Sequence, residues 1–480
     1  MNLPQSHNET YLLRRVSSPG PAAVMVYPNS YRVGMSSLGF HQVFRHLDAA
    51  GLSVQRGFYD ETDTDPRSFE MRDPIFRFPL VAYSLTYEPD IFNTVCHLNR
   101  AGIPPLWRDR DDRSPIVLIG GLAVASNPAI AEEFADVICI GEGEAVIPAI
   151  AGAVSSSGRG RREILESLSG TRGLYIPPLG FAENRYELQY RIIEDLGDYP
   201  CHTVILTPDD EFGGAFLVEA SRGCSHRCKF CLVSHRVGPA RFRSASEICD
   251  LVDEYGGKIY KVGLMGAAVS DHPELTTIAG HLVQKGLSFS TSSLRADRLS
   301  DEFLALLRKG GNKTITLAPE AGDDSQRRRL GKGIRSSVIL EAAQRSAMAG
   351  FSNLKLYWLI GTPGEDIRAE CDAIIKFSRE LEQVFLGHGG RRVTCTVSPC
   401  IPKPLTPFAE EPMAPVPEIR RAMRNIRRAL AFRGTIRVPP QSAWEAYIEA
   451  LLSTKDREFL TPRIIQVALG EESARTVFCE

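Results

Sequence analysis

Two successive α/β units are predicted by the sequence: a doubly wound parallel sheet, then a partial (β/α)6 barrel, followed by a small helical region at the C-terminal end. Two observations predict them. Short apolar runs alternate with amphipathic helical patterns in two separate series, one from about residue 22 and one from Ala215; strand alternating with helix calls for parallel strands covered on both faces. The 480 residues also exceed what one hydrophobic core organises and suit two or three domains.

The first series reads AAVMVY near 22 to 27, a helix in SSLGFHQVFRHLDAAG near 36 to 51, LSVQRGF, PLVAYSL, a helix in DIFNTVCHLNRAG, PIVLIGG, and DVICIGEGEAVIPAIAG. A flavodoxin-like sheet over residues 1–155 is expected. Ser36 or Ser37 can cap the first helix and Gly51 can close it. SSSGRGRR, from Ser155 to Arg162, loses apolar periodicity and gains glycine and charge, which marks a solvated loop. Residues 156–214 read as a connector, with YELQYRIIEDL and CHTVILTP as its best strands.

The second series places six strands, AFLVEA, IYKVGLMG, LSFSTSSL, TITLAP, NLKLYWLIG and RRVTCTVSP. They alternate with helices over 245–255, 273–285, 300–309, 336–349, 365–384 and 415–433. This is a partial TIM-type barrel over 215–410, with residues 411–480 as a helical C-terminal region.

Composition narrows the function classes. The 43% hydrophobic and 24% charged fractions suit a soluble globular protein, and no apolar stretch approaches the roughly 20 residues needed to span a bilayer. MNLPQSHNETYLLRR lacks the apolar core of a secretory signal, so a cytoplasmic location is expected. Fifty-six basic against 58 acidic residues leave a net charge of −2 and no global field for nucleic acid. The helix EIRRAMRNIRRALAFRG carries Ile419, Met423, Ile426 and Leu430 at helical spacing with arginines between, which reads first as a solvated face over an apolar stripe. Trp444 and Tyr447 read first as packing residues and second as substrate contacts.

The sharpest chemical signal is EASRGCSHRCKFCLVSH, where Cys224, Cys228 and Cys231 stand at C-x3-C-x2-C with Phe230 before the last. An iron–sulfur cube normally takes four thiolates, so three with no fourth nearby imply one iron left open. Common zinc sites use paired Cys or Cys/His motifs, and no second pair follows; a disulfide needs an oxidising compartment. His226 and His235 receive no role. The other eight cysteines are scattered and read as small buried hydrophobes.

The cysteine segment resembles the radical S-adenosylmethionine (SAM) superfamily. The resemblance implies a [4Fe–4S] cluster whose open iron is chelated by the amino and carboxylate groups of SAM, and a reduced flavodoxin- or ferredoxin-type electron donor. It also implies a pocket at the carboxyl ends of the strands. Gly266 and Ala267, with Ala268, match the loop that meets the methionine amino group, although the usual Gly-Gly-Glu is absent. Ser292 and Arg295 offer a hydroxyl and a cation for the carboxylate; Glu320 matches the acceptor for ribose hydroxyls. Gly361 and Thr362, with Pro363 and Gly364, form a turn suited to the adenine, and Phe230 adjoins the cluster.

The first domain resembles the cobalamin-binding domains fused ahead of many radical barrels. Where that family reads D-x-H-x-x-G, this chain has Asn29-x-Tyr31-x-x-Gly34. Cobalamin, if held, therefore lacks a histidine lower ligand. Ser84, Gly120, Gly121 and Glu142 fall where the resemblance places cobalamin. The implied reaction is methylation of an unactivated carbon of a small molecule. Its rivals are radical cyclisation or rearrangement without methyl transfer, methylthiotransferase-like modification of RNA or protein, and a non-enzymatic cofactor sensor. Only Cys96 and Cys139 lie in the first domain, too few for the auxiliary cluster of methylthiotransferases. A sensor needs no radical generator.

Overall fold

A computed structural model of the chain describes residues 8–13, 22–156, 160–431 and 434–479. One unit comprises Met1–Gly214 with Leu451–Glu480, and the other Ala215–Ala450. The connector expected over 156–214 thus belongs to the first unit, and the C-terminal region is divided instead of forming a body of its own. Local contacts explain the return of the chain end. Asn127 Nδ2 donates to the carbonyls of Leu452 (2.9 Å) and Lys455 (3.0 Å). The Phe478 ring meets Phe92 and Phe459, so the terminal helices cover the apolar side of the helix Asp90–Arg100.

In the first unit the strands Ser53–Phe58, Ala22–Tyr27, Leu80–Ser84, Ile116–Gly120 and Val137–Cys139 lie side by side and parallel, with Leu174–Tyr175 added antiparallel at the edge. In chain order this is 2-1-3-4-5, so the winding reverses between the first and third strands, where open α/β sheets form their crevice. Ala23, Val24, Val26, Val81 and Ile119 are fully buried, which is why these strands read as continuous apolar runs. Ser37 is the residue that caps the helix Leu38–Ala49, its Oγ accepting from Phe40 N, and Gly51 closes it at φ +90°.

Two expectations in the connector change. The SSSGRGRR loop is shorter than its composition suggests, because a helix begins at Arg161, whose guanidinium pairs with the fully buried Asp136; residues 157–159 lie outside the described residues. YELQYRIIEDL forms no strand and contributes only a bridge between Arg191 and Gly141. CHTVILTP keeps two strand residues, Ile205–Leu206, paired with Thr10–Tyr11.

The described residues of the second unit form seven parallel strands in chain order. Phe216–Glu219, Lys261–Met265 and Ser288–Thr291 form one sheet; Thr314–Glu320, Asn353–Ile360, Arg392–Pro399 and Ile436–Arg437 form another. A bridge between Leu294 and Leu317 joins the two. The seventh strand, two residues long, is too short to show a pattern in sequence. Along Asn353–Ile360 every second residue is buried. Trp358 meets Phe377 of the helix Ile367–Gly387, so the buried face packs on helices and the other lines the barrel interior. No helix of the described residues is long and apolar enough to cross a membrane.

Candidate active site

The cysteine loop leaves the carboxyl end of Phe216–Glu219, the end at which parallel barrels carry chemistry. Ser221–Arg222 pairs antiparallel with Arg241–Phe242 and closes the loop at its base. Gly223 makes the first bend at φ +78°; a Cβ there would stand 2.4 Å from Pro239 O, so the two limbs meet backbone to backbone. Cys224 N donates to Gly238 O (2.9 Å) and Cys231 N to Cys228 O (3.1 Å). Below the loop, Glu219 accepts from Arg222 Nε (2.7 Å) and Arg243 Nη2 (2.8 Å). Burial pushes its carboxyl up, but the two guanidiniums outweigh burial and hold it below its ordinary value.

Cys228 is buried, and Cys224 and Cys231 are half-buried. Burial pushes the Cys224 and Cys228 thiols up, and both also feel Cys231, so each lies within electrostatic reach of it. Arg295 acts on both in the opposite sense, as does Lys332 on Cys228. The thiolate is the ligating form, and these cations favour it. Among the described residues no three His, Cys, Asp or Glu side chains converge in a way suited to one ion. The donor set of this loop is three thiols, and an iron–sulfur cube takes one thiolate on each iron that the protein holds.

Around this loop the structure gathers most of the residues expected to meet SAM. A Cβ on Gly266 would stand 2.3 Å from Ser221 Oγ, so the glycine lets the second strand's loop touch the base of the cysteine loop. Ala267 is exposed beside it. Ser292 Oγ donates to Gly266 O (3.0 Å), which ties the third strand to the second. Arg295 pairs with Asp297 (2.9 Å). Glu320 ends its strand at a bulge, in left-handed backbone at φ +68°, and its Oε1 accepts from Lys332 Nζ at 2.8 Å. Phe230 packs with Ala321, Leu330, Cys400 and Phe408.

The Gly361–Thr362 turn behaves differently. Its two N–H groups donate to Glu370, at 2.7 and 3.0 Å, and the Thr362 hydroxyl joins the same carboxylate. Burial pushes Glu370 up against these hydrogen bonds. The backbone donors of this turn are therefore spent inside the protein, leaving packing as what it can offer a base.

Sequence reasoning missed Glu370 and Lys332. Glu370 had no signal beyond its place in a helix's first turn. Lys332 had one: it stands in Gly331-Lys332-Gly333, and both glycines take positive φ, at +75° and +64°.

The residues expected to meet cobalamin do not converge. Asn29 and Tyr31 line an open cleft of about 1720 Å3 at the carboxyl ends of the first two strands, together with Phe58, Tyr59, Phe69 and Asn93. Gly34, Ser84, Gly120, Gly121 and Glu142 are not among the residues lining it. Gly34 and Gly121 serve close packing: a Cβ would stand 2.7 Å from the Phe58 ring and 2.2 Å from Leu85 O, respectively. Gly120 sits against Cys139. Ser84 is buried in its strand, and Glu142 is buried with Oε2 accepting from Ile193 N at 2.7 Å. Tyr31 donates its hydroxyl to Glu9 (2.6 Å) and stacks on Phe69.

Asn29 Nδ2 donates to Asp90 Oδ1 (3.0 Å). Burial pushes the Asp90 carboxyl up to about 6, against that hydrogen bond. The folded state then holds this proton more tightly than the unfolded chain, whose carboxyl titrates near 4. Asp90 therefore contributes stability that is present at acid pH and lost as pH rises through about 6. Asp90→Asn is expected to flatten the pH dependence of urea unfolding across roughly pH 4 to 6; an unchanged slope would show the carboxyl to be solvated.

Comparison with known proteins gives the family. The family model described as "Radical SAM proteins, N-terminal" matches residues 50–177, and that described as "Radical SAM superfamily" matches residues 218–377. An uncharacterised protein of Methanocaldococcus jannaschii is 28% identical over 391 residues, 81% of this chain and 79% of that protein. Among solved structures, the cobalamin-dependent S-adenosylmethionine radical enzyme OxsB, with aqua-cobalamin and S-adenosylmethionine bound, matches 75% of this chain at 15% identity and a TM-score of 0.53. Its form with aqua-cobalamin alone gives 0.54. The chain spans about half the length of that enzyme, 52%; the likeness is one of fold. The two family models and the three-cysteine loop lead to one assignment: the chain belongs to the radical S-adenosylmethionine superfamily.

Proposed function

We propose that the chain holds a [4Fe–4S] cluster on Cys224, Cys228 and Cys231, cleaves SAM reductively, and directs the resulting radical at an unactivated carbon of a small molecule, with methylation as the outcome if its first unit takes up cobalamin. The observation that carries this reading is the three-thiol loop at the carboxyl end of the first barrel strand, with Arg295 and the Glu320–Lys332 pair in electrostatic reach of it. The chemistry a cluster supplies there is one electron to the SAM sulfonium, which leaves methionine and a 5′-deoxyadenosyl radical able to take hydrogen from carbon.

The chain's own residues bind and orient. Arg295 would supply the cation for the SAM carboxylate, whereas the Ser292 hydroxyl spends its proton on Gly266 O; Glu320 has a second oxygen to offer ribose hydroxyls. Phe230 and its apolar neighbours exclude water beside the thiols. The electron comes from a reduced flavodoxin- or ferredoxin-type donor. The 2-1-3-4-5 order of the first sheet supports a cobalamin-binding ancestry, with Tyr31 in place of a histidine ligand.

A second reading, radical rearrangement without methyl transfer, is favoured by one observation: Asn29, Tyr31 and Glu142 spend their polar atoms on the protein itself. Anaerobic reconstitution with iron, sulfide and hydroxocobalamin separates the two. Cobalt retained in about equimolar amount after desalting, with a methylated product, is the expected result; 5′-deoxyadenosine formed with no cobalt retained would hand the assignment to rearrangement.

A further inference from the structure

The loop after Glu320 returns to the cysteine loop, and its approach is fixed by backbone. Lys229 N donates to Leu330 O at 2.9 Å. Gly331, at φ +75°, lies so close that a Cβ would stand 2.7 Å from Arg227 O and 3.5 Å from Cys228 Cα. Residue 332 is therefore delivered beside Cys228 by contacts that do not involve its own side chain. That side chain is a lysine only 9% exposed, whose ammonium is 2.8 Å from Glu320 Oε1. Desolvating an ammonium beside a single carboxylate is costly, so packing alone would favour an apolar residue here.

We propose that Lys332 is a positioning residue for charge: its ammonium is the built-in counter-charge of the cluster loop, and it makes a cluster on Cys224, Cys228 and Cys231 easier to reduce. This rests on the reading of that loop as an iron–sulfur site. Adding an electron to a thiolate-bound cluster adds negative charge, and a cation in a partly dehydrated setting stabilises the reduced form more than the oxidised one. The geometry puts the charge at the loop: Gly331 packs against Arg227 O and Cys228 Cα, and the ammonium of the next residue is held in a part-buried site by Glu320. Arg295, in its own pair with Asp297, is the second cation assigned to the same pocket.

The test is a redox titration of the full chain, anaerobically reconstituted and followed by electron paramagnetic resonance in the absence of SAM. Lys332→Met is expected to move the midpoint to more negative potential, Lys332→Arg to keep it near wild type, and Glu320→Gln, which leaves the ammonium uncompensated, to move it to more positive potential. A merely structural lysine would not give shifts of opposite sign at equal iron content. Midpoints of Lys332→Met and Glu320→Gln that coincide with wild type would overturn the proposal. Should Lys332→Met fail to load iron, the direction of the Glu320→Gln shift decides alone. Wild-type protein that assembles no cluster would sink the underlying site assignment; a wild-type cluster with unmoved variants would sink only the role of Lys332.

Discussion

Cys228→Ala is expected to reduce 5′-deoxyadenosine formation to background and to strip the reconstituted protein of its iron-dependent visible absorption. The physical argument is that a cube held at three corners has no spare ligand: losing one thiolate leaves two irons without protein ligands. The fold should survive. Cys228 is a small buried side chain whose replacement by alanine removes one sulfur, a change worth about 1 kcal/mol in a protein interior. The controls are cysteines outside the motif. Cys139 is buried in the first sheet, and burial pushes its thiol up to about 12; Cys400 is buried beside Phe230, also pushed up to about 12. Neither ionises near neutral pH, and alanine at either position should leave iron content and product formation in place. Iron assays, absorption spectra and product analysis on the three variants decide the matter; 5′-deoxyadenosine made by Cys228→Ala at the wild-type rate would refute the cluster ligation.

The largest effect on stability is expected at Arg56, in the strand Ser53–Phe58. Its side chain is 1% exposed and joins two carboxylates. Nη1 and Nη2 donate to the two oxygens of Glu9, each at 2.8 Å, Nε donates to Glu70 Oε1 at 2.7 Å, and the backbone N donates to Glu70 Oε2 at 2.6 Å. The guanidinium also lies 4.7 Å from the centre of the Phe69 ring. Arg56→Met leaves two largely buried carboxylates facing each other without a cation, and breaking such a pair from one side costs about 3–5 kcal/mol. Arg56→Met with Glu9→Gln and Glu70→Gln removes all three charges and should recover much of that loss. Urea unfolding of the single and triple variants checks it. A single variant within about 1 kcal/mol of wild type would mean that water already reaches the pair. The same network receives the Tyr31 hydroxyl through Glu9, so the Arg56 variant should also loosen the wall of the first-unit cleft.

Much of the architecture was legible because it is written in local patterns. The helix expected over 245–255 is Ala245–Tyr255, with Ser244 and Glu247 forming a capping box. The short strands of both sheets were visible as apolar runs, and the break before Ala215 as the start of a second alternation. What failed did so for stated reasons. The strand-like YELQYRIIEDL alternates correctly, but the sheet edge beside it is taken by Leu174–Tyr175. The charged end of SSSGRGRR looks solvated until Asp136 is known to be buried opposite it. The C-terminal helices looked like one region, and no pattern in them says that the last thirty residues return to the helix Asp90–Arg100.

The sequence by itself determined the candidate ligands of a cluster and the order of strands and helices, because both depend on neighbours within a few residues: three cysteines within eight positions, and hydrophobic periods of two and 3.6. Tertiary structure alone decided which polar atoms remain to meet a ligand. Glu370 takes the donors of the Gly361–Thr362 turn, Glu9 takes the Tyr31 hydroxyl from 22 residues away, and the segment Leu330–Gly331 returns to the cysteine loop from beyond the fourth strand. Each buried polar group must find a partner wherever the fold supplies one; such pairings are set by distance in space, which no periodicity along the chain encodes.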